Sequence, residues 1–284
     1  MTTILNGKNL RDIILADLKI RVEKFMAPPE LAVILVGENP ASLIYVNNKK
    51  KTAEKLGIVS HVIKFPQNVS ESNLIKTIKI LNEKKSTTAI LVQLPLPEHI
   101  DKFKVIDAIA PEKDVDGLTP YNSGKLFSGE KPFVYPCTPR GILHLLEKYH
   151  IEIEGKNVVV IGRSNLVGKP VAQMMMNKNA TVTMCHSHSK NLAEITKNAD
   201  ILISAVGKKI ITENMVKENC VVVDVGIFKD ENGKTTGDVD FENVSKKAGF
   251  ISPVPGGVGP MTIASLMLNT VDLYEIQHNI NIFK

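Results

Sequence analysis

A tyrosine and a lysine share one face of a charged segment near the N-terminus. Residues 39–57 read NPASLIYVNNKKKTAEKLG, and the early proline and closing glycine are typical of a helix. At about 100° per residue, Tyr45 and Lys49 fall on one stripe of this helix, whereas Lys50 and Lys51 do not. Two interpretations follow. Lys49 belongs to a solvated lysine cluster, or it is turned inward to take part in chemistry.

Polar side chains also stand where apolar runs end. In LVQLPLP, Gln93 follows a buried-type run, and it could bond either the loop backbone or a ligand. In APEKDVDGLTP, Asp114 and Asp116 lie in a turn before Gly117, where an aspartate often bonds its own backbone. A functional aspartate in this turn could instead accept two N–H bonds from a planar heterocycle. Ligands of parallel sheets gather at such strand ends.

A glycine-containing turn opens the second half of the chain. In VVVIGRSNLVGKP, Gly162 ends an apolar run and Gly168 stands near the start of a predicted helix. A helix amino end offers N–H groups and partial positive charge to a phosphate. Ser164 and Val167 replace two glycines of the usual dinucleotide fingerprint, so an ordinary strand–helix turn is the alternative.

The next strand indicates which dinucleotide this turn would hold. NAD sites carry an acidic residue about 20 positions further on, at the end of the second strand. Here that strand ends TMCHSHSK and has no carboxylate, with His186 and Ser187 in its place. Arg163 lies in the turn itself and could accept a ribose phosphate. The sequence therefore favours NADP over NAD.

A second glycine-rich segment precedes the last helix. SPVPGGVGPMT, residues 252–262, holds three glycines and three prolines. Such a backbone is rigid and free of side chains, which suits the close approach of a flat ligand.

The order of elements predicts the fold class. Apolar runs of strand type alternate with helical segments along the whole chain. The predicted strands are 31–36, 58–65 and 87–94, then 156–162, 180–187, 200–207 and 220–226. We expect two doubly wound α/β lobes with a cleft between them, the second Rossmann-like. The final helix, 259–277, should pack back onto the first lobe.

Composition excludes several classes of protein. The 284-residue chain is 43% hydrophobic and 23% charged, as in soluble globular proteins. Its net charge of +5 is spread out, so neither nucleic acid nor membrane is an expected partner. The N-terminus lacks the order of a signal peptide, which places the protein in the cytoplasm. Three cysteines suit reduced thiols. His186 and His188 alone make a weak metal site, so we predict no metal.

Seven segments together resemble one enzyme family. They are NPAS with YVNNKKK, LVQLPLP, KDVDG, PCTPRG, GRSNLVGKP, ATVTMCHS and PVPGGVGPMT, in this order across nearly the whole chain. They are similar to the motifs of the bifunctional methylenetetrahydrofolate dehydrogenase/cyclohydrolase family. The resemblance implies a folate-binding catalytic domain at 1–138, completed by the helix 260–284. It also implies an NADP-binding Rossmann-like domain at 139–259, and a homodimer.

The same resemblance implies roles for single residues. Lys49 would be the catalytic lysine, Gln93 its partner, Tyr45 the cover of the folate rings and Asp116 the holder of the pterin's amino edge. The loop 255–262 would border both ligands, with Pro255, Gly256 and Gly257 on the folate side. NADP would be lined by Gly162, Arg163, Ser164, Ser187, Ile227, Gly259 and Thr262.

The implied activity has two steps on tetrahydrofolate derivatives. NADP would oxidise 5,10-methylenetetrahydrofolate to the 5,10-methenyl form, and water would convert that product to 10-formyltetrahydrofolate. Three alternatives remain: a dehydrogenase without the hydrolytic step, a non-catalytic folate or nucleotide sensor, and a shikimate-dehydrogenase-like enzyme. The YVNNK and PVPGGVGPMT segments do not resemble the last of these.

Overall fold

The computed structural model describes residues 1–231 and 233–280. Its strands are parallel except in one two-stranded hairpin. The strands are β1 (Thr3–Ile4), β2 (Glu30–Val36), β3 (Val59–Phe65), β4 (Thr87–Val92), β5 (Asn157–Ile161), β6 (Thr181–Cys185), β7 (Ile201–Ser204), β8 (Val221–Asp224), β9 (Phe228–Lys229), β10 (Thr235–Thr236) and β11 (Phe250–Ile251).

Helices follow most of the strands. They are α1 (Gly7–Val22), α2 (Pro40–Lys55), α3 (Glu71–Glu83), α4 (Lys102–Asp107), α5 (Pro120–Phe127), α6 (Cys137–Lys148), α7 (Gly168–Met176), α8 (Leu192–Thr196), α9 (Phe241–Val244) and α10 (Val258–Gln277). The strands predicted from apolar runs are all present, most of them a few residues shorter. In the described part of the chain, no helix combines the length and apolar character needed to cross a membrane.

One compact unit comprises residues 13–137 together with residues 266–280, and we call it the three-stranded unit. Its sheet has the order β3-β2-β4, with β2 at the centre. Alternate residues of β2 enter two different cores: Val33 packs with α1, α2 and the second half of α10, and Ile34 packs with α3. Because both faces are covered, the strand is continuously apolar. Leu266 to Leu273 join the first of these cores, so the last helix returns to this unit as expected.

The other compact unit comprises residues 1–12 and 138–265, and we call it the six-stranded unit. Its sheet has the order β1-β11-β8-β7-β5-β6. After β1, the chain next joins this sheet at β5, places β6 on one side of β5 and then β7 on the other, so the strand order reverses beside β5. This reversal is the Rossmann-like feature predicted for the second half.

The boundaries of the two units differ from the predicted domain boundaries in two places. Residues 1–12, expected in the first domain, belong to the six-stranded unit, because β1 pairs with β11 and Leu5 N–H donates to Ile251 O at 2.9 Å. Residues 260–265, expected in the first domain, also belong there. A two-residue strand carries no periodicity, so its pairing is invisible in the sequence.

Candidate active site and dinucleotide site

The position of Lys49 follows from how α2 starts and which face it buries. Asn39 caps the helix by accepting the N–H of Ser42 at 3.1 Å, and Pro40 occupies the first turn. Val46 and Ala53 are buried one turn on either side of Lys49. Lys49 therefore lies on the edge of the buried face and is half-buried, as is the neighbouring Lys50.

The Lys49 amine meets Gln93 from the end of β4. Lys49 Nζ donates to Gln93 Oε1 at 3.0 Å. Gln93 Nε2 donates to Leu94 O at 2.7 Å, which fixes which amide atom faces the lysine. The backbone N–H of Gln93 continues the sheet by bonding Ile34 O at 2.9 Å. The amide thus holds the amine in place without contributing a negative charge.

Asp116 stands close enough to Lys49 for the two charges to interact. Desolvation by burial is the main reason that the pKa of Asp116 is raised, and the Asp114 carboxylate acts in the same direction. The Lys49 ammonium and a hydrogen bond with the Cys137 thiol oppose this rise in pKa. A protonated Asp116 is therefore more accessible than in an ordinary aspartate, and its carboxyl group can both donate and accept hydrogen bonds.

The turn that carries Asp116 is anchored on both sides. Asp114 is buried and accepts Thr119 N–H at 2.7 Å and Asn122 Nδ2 at 3.0 Å. Gly117 has φ +65°, and an added Cβ would lie 2.9 Å from Pro136 N. The aspartate–glycine turn of the sequence is therefore both a structural motif and the support of a site residue.

Two anchoring residues were missed from the sequence. Lys113 is buried, and its ammonium donates to three carbonyls at the end of α3, those of Leu81, Asn82 and Lys84. Asn269 on α10 donates to Val115 O at 2.7 Å. A lone asparagine in the apolar run LMLNTV was the one signal for Asn269. A buried lysine has no sequence signal, because most lysines are exposed.

The remaining predicted folate residues are placed differently. Tyr45 lies one turn before Lys49 on α2 and is 42% exposed, so its ring is available to a ligand. Pro255, Gly256 and Gly257 belong to the six-stranded unit, whereas Lys49 belongs to the three-stranded unit.

In the six-stranded unit, the turn after β5 can only be built with glycines. Gly162 has φ +115°, and an added Cβ would lie 2.6 Å from Ala205 O. A Cβ on Gly168 would overlap Gly162 O, since the first turn of α7 packs directly on the turn after β5. This close packing of helix on strand end is what the third glycine of a dinucleotide fingerprint provides. The structure thus supports the dinucleotide interpretation over an ordinary turn.

Four of the predicted cofactor residues lie beyond the carboxyl ends of three strands of this sheet. Arg163 and Ser164 follow β5, Ser187 follows β6, and Ile227 follows β8, and all four are exposed. Ser164 Oγ accepts the N–H of Val167 at 3.2 Å, which orders the turn that precedes α7. No aspartate or glutamate follows directly after β6 in the sequence. The backbone N–H of His186 donates there to Ser189 Oγ at 2.9 Å.

The glycine-rich loop before α10 is similarly close-packed. Gly256 has φ +112°, and a Cβ on Gly257 would lie 2.6 Å from Pro253 O. An added Cβ on Gly259 would meet open space, which leaves room beside that residue. The Thr262 hydroxyl lies 3.0 Å from the Thr138 hydroxyl, so Thr262 is held at the start of α10.

The histidine and cysteine side chains named in the sequence analysis lie apart from any candidate metal site in the described residues. Across residues 1–231 and 233–280, no three His, Cys, Asp or Glu side chains are grouped so as to hold a metal ion. The rings of His186 and His188 are 5.9 Å apart and edge-on. Cys137, Cys185 and Cys220 are buried thiols.

Fold and site together define a class of protein. It is an α/β protein with a lysine–amide–carboxylate cluster at one parallel sheet and a glycine turn fit for a dinucleotide at the other. Two family models match this chain. The tetrahydrofolate dehydrogenase/cyclohydrolase catalytic domain matches residues 5–116, and the NAD(P)-binding domain of the same enzymes matches residues 136–278. The chain belongs to the tetrahydrofolate dehydrogenase/cyclohydrolase family, which confirms the predicted family.

Individual relatives agree with this assignment. The bifunctional protein FolD of Pediococcus pentosaceus is 54% identical over 278 residues, which cover 96% of this chain and 98% of the relative. The crystal structure of the bifunctional FolD enzyme from Campylobacter jejuni is 47% identical, with a TM-score of 0.95 over 97% of this chain and 99% of that one. The Trypanosoma brucei enzyme, crystallised with NADP and an inhibitor, is 36% identical with a TM-score of 0.92, over 97% and 98%.

Proposed function

We propose that this protein oxidises 5,10-methylenetetrahydrofolate to the methenyl form with NADP and then hydrolyses that product to 10-formyltetrahydrofolate. The observation that carries the proposal is the Lys49–Gln93 hydrogen bond beside Asp116, in a chain whose two halves match the two domains of one family. A shikimate-dehydrogenase-like function does not fit this family match.

The oxidation requires positioning more than side-chain chemistry. When bound, the nicotinamide accepts a hydride from the carbon that bridges two folate nitrogens. The chain's task is to hold the folate, and we assign this to Tyr45, whose exposed ring can stack on the pterin, and to Asp116. The raised pKa of Asp116 suits a carboxyl group that exchanges hydrogen bonds with an amino–imino edge. Pro255, Gly256 and Gly257 are further residues that we propose to bind the folate.

The hydrolysis requires proton transfer, and Lys49 is the residue placed for it. Water adds to the cationic bridging carbon and loses both of its protons as the carbonyl forms: one reaches the departing nitrogen, and the other is released to solvent. A neutral Lys49 amine can accept the first proton and return it to the nitrogen. Gln93 orients the amine through Oε1, and as a neutral amide it adds no charge beside the lysine.

The dinucleotide site fits NADP better than NAD. The glycine turn at Gly162 and Gly168 leaves the cradle that a pyrophosphate needs. Arg163, which follows β5, and Ser187, which follows β6, offer a cation and a hydroxyl to a ribose phosphate, at a strand end that has no carboxylate to repel it. The Trypanosoma brucei relative was crystallised with NADP. Ser164, Ile227, Gly259 and Thr262 are proposed as further cofactor contacts.

A homodimer in the cytoplasm is the proposed setting. The resemblance to the family implies two chains per molecule, and light scattering coupled to size-exclusion chromatography tests this directly. A monomer at micromolar concentration would contradict the dimer without affecting the proposed chemistry.

One coupled assay separates the proposed function from its alternatives. Purified protein is mixed with methylenetetrahydrofolate and either NADP or NAD, and both reduced dinucleotide and folate products are followed. We expect NADPH and 10-formyltetrahydrofolate, with a clear preference for NADP. Accumulation of the methenyl product would indicate a dehydrogenase alone. Tight binding of both ligands without NADPH would indicate a sensor, and equal rates with NAD would refute the cofactor assignment.

A further inference from the structure

We propose that Asp238 is a positioning residue for the dinucleotide, acting through residues 205–208 at the point where the strand order of the six-stranded unit reverses. The proposal rests on the proposed dinucleotide site. It deepens that site by naming a buried carboxylate that neither the sequence motifs nor the family resemblance pointed to.

Residues 205–208 lie at the sheet edge where doubly wound parallel sheets bind dinucleotides. Strands β5 and β7 are neighbours, and β6 lies on the other side of β5, so the crevice of the fold opens between the ends of β5 and β7. Gly162 follows β5 and Ala205 follows β7. The N–H of Ala205 donates to Ile161 O at 2.8 Å, and Ala205 O is the atom that would clash with a side chain on Gly162.

Asp238 holds this segment from the inside. Its Oδ2 accepts the Ser204 hydroxyl at 2.8 Å and the Val206 N–H at 2.8 Å, and its Oδ1 accepts the Lys208 N–H at 2.9 Å. The side chain is fully buried, at 0% exposure. An anion that accepts three such bonds fixes the backbone more firmly than a neutral acceptor would.

The hydrogen bond from Val206 to Asp238 also fixes the direction of the Ala205 carbonyl, which faces the turn after β5. The carbonyl of Ala205 and the N–H of Val206 belong to one trans peptide plane and point in opposite directions. Because the Val206 N–H points at Asp238, Ala205 O must point away from Asp238, toward Gly162. Asp238 therefore sets the wall against which the phosphate-binding turn packs.

A second buried carboxylate fixes Asp238 itself. Asp224, at the end of β8, accepts the N–H of Asp238 at 2.9 Å, of Gly226 at 3.0 Å and of Val239 at 3.0 Å. A Cβ on Gly226 would overlap the Asp238 carboxylate, so a glycine is required there. The two aspartates thus join the ends of β7 and β8 into one rigid rim.

The test compares Asp238→Asn with Asp240→Asn. Asn keeps the size of the side chain but turns one acceptor into a donor, which faces an N–H group. Asp240 lies two residues away, and its carboxylate pairs with Lys209 at 3.3 Å on the more accessible side of the loop, so its variant controls for a lost charge. Affinity is measured by direct titration with NADPH. Cyclohydrolase activity on methenyltetrahydrofolate, which uses no dinucleotide, is measured on the same samples.

We expect Asp238→Asn to weaken NADPH binding by about tenfold or more and to raise the dehydrogenase KM for NADP in step, with cyclohydrolase activity unchanged within about twofold. Asp240→Asn should match the wild type in all three. Unchanged NADPH affinity would overturn the proposal. So would parallel losses of affinity and cyclohydrolase activity, since these indicate a general structural role.

A milder variant keeps the proposal testable if Asp238→Asn does not fold. Ser204→Ala removes one of the three bonds to Asp238 and should weaken NADPH binding by about threefold. Wild-type affinity in a folded Ser204→Ala protein would then count against Asp238. The NADPH titration needs no turnover. A wild-type protein that binds NADPH but oxidises no folate would therefore refute the proposed function, and the affinities of the variants for NADPH would still decide the role of Asp238.

Discussion

Replacing Gln93 by glutamate isolates the contribution of a neutral partner to the Lys49 amine. The Gln93 Oε1 atom accepts from Lys49 Nζ at 3.0 Å, and a glutamate oxygen in the same place would put a carboxylate against the ammonium. In the wild type the amide holds the amine without an opposite charge. In the variant the ammonium is stabilised and the neutral amine, which must accept a proton from water, becomes scarce.

The size of the effect follows from the separation of the two groups. Opposite charges about 4 Å apart attract by about 4 kcal/mol at an effective dielectric of about 20. Lys49 is half-buried rather than enclosed, so solvent screening reduces this to about 2 kcal/mol. Since about 1.4 kcal/mol corresponds to a factor of ten in rate, Gln93→Glu should slow the cyclohydrolase step about 30-fold.

The assay measures both steps on one preparation. Methenyltetrahydrofolate hydrolysis reports the proton-transfer step, and NADPH formation from methylenetetrahydrofolate reports the hydride step, which should stay within about threefold of the wild type. Asn47→Asp is the matched control, because Asn47 is exposed on α2 and its substitution adds the same charge to another face of the helix. Cyclohydrolase activity of Gln93→Glu within threefold of Asn47→Asp would refute the reasoning.

Three further predictions concern the anchors of the two units. Lys113→Met leaves three carbonyls at the end of α3 without their buried donor, so urea unfolding should show that the free energy of unfolding falls by about 2 to 4 kcal/mol. A fall of less than about 0.5 kcal/mol would contradict this prediction, because it is smaller than the cost of one unsatisfied buried acceptor. Gly168→Ala forces a methyl group against Gly162 O and should abolish NADPH binding while sparing cyclohydrolase activity, whereas Gly124→Ala, with open space around it, should alter neither. Burial raises the pKa of Asp224 from 3.8 to about 6. The native protein thus binds this proton more tightly than the unfolded chain does, and it gains stability as the pH falls from about 6 to about 4. Over this range, the unfolding free energy of the wild type relative to Asp224→Asn should rise by up to about 3 kcal/mol. A pH-independent difference between these two proteins would be the contrary result.

Local patterns were enough to predict most of the fold. Buried parallel strands appear in the sequence as continuous apolar runs, and the alternation of such runs with helices indicates crossovers of one hand. The buried strands β2 and β5 were found in this way. Strand β1 was not, because two residues cannot display a period and its pairing with β11 joins distant parts of the chain. That single pairing moved residues 1–12 into the other unit.

The candidate site was partly predictable for the same reason. Lys49 was distinguished from Lys50 and Lys51 by helical periodicity, and the structure gives it a defined partner in Gln93. The supporting residues were not predictable, since their bonds depend on the folded topology. Asn269 reaches a carbonyl at Val115 from α10, and Asp238 reaches the N–H groups of a loop formed by a different strand. Side chains of this kind become recognisable only when the sheet order is known.

The proposed function requires the Lys49 amine to move protons in the hydrolytic step. The most direct measurement follows the folate products of Lys49→Met during a single coupled reaction with methylenetetrahydrofolate and NADP, beside Lys51→Met, which removes an exposed lysine from the same helix. The expected result is NADPH formation with accumulation of methenyltetrahydrofolate in Lys49→Met, and full conversion to 10-formyltetrahydrofolate in Lys51→Met. Rapid formation of 10-formyltetrahydrofolate by Lys49→Met would contradict the assignment.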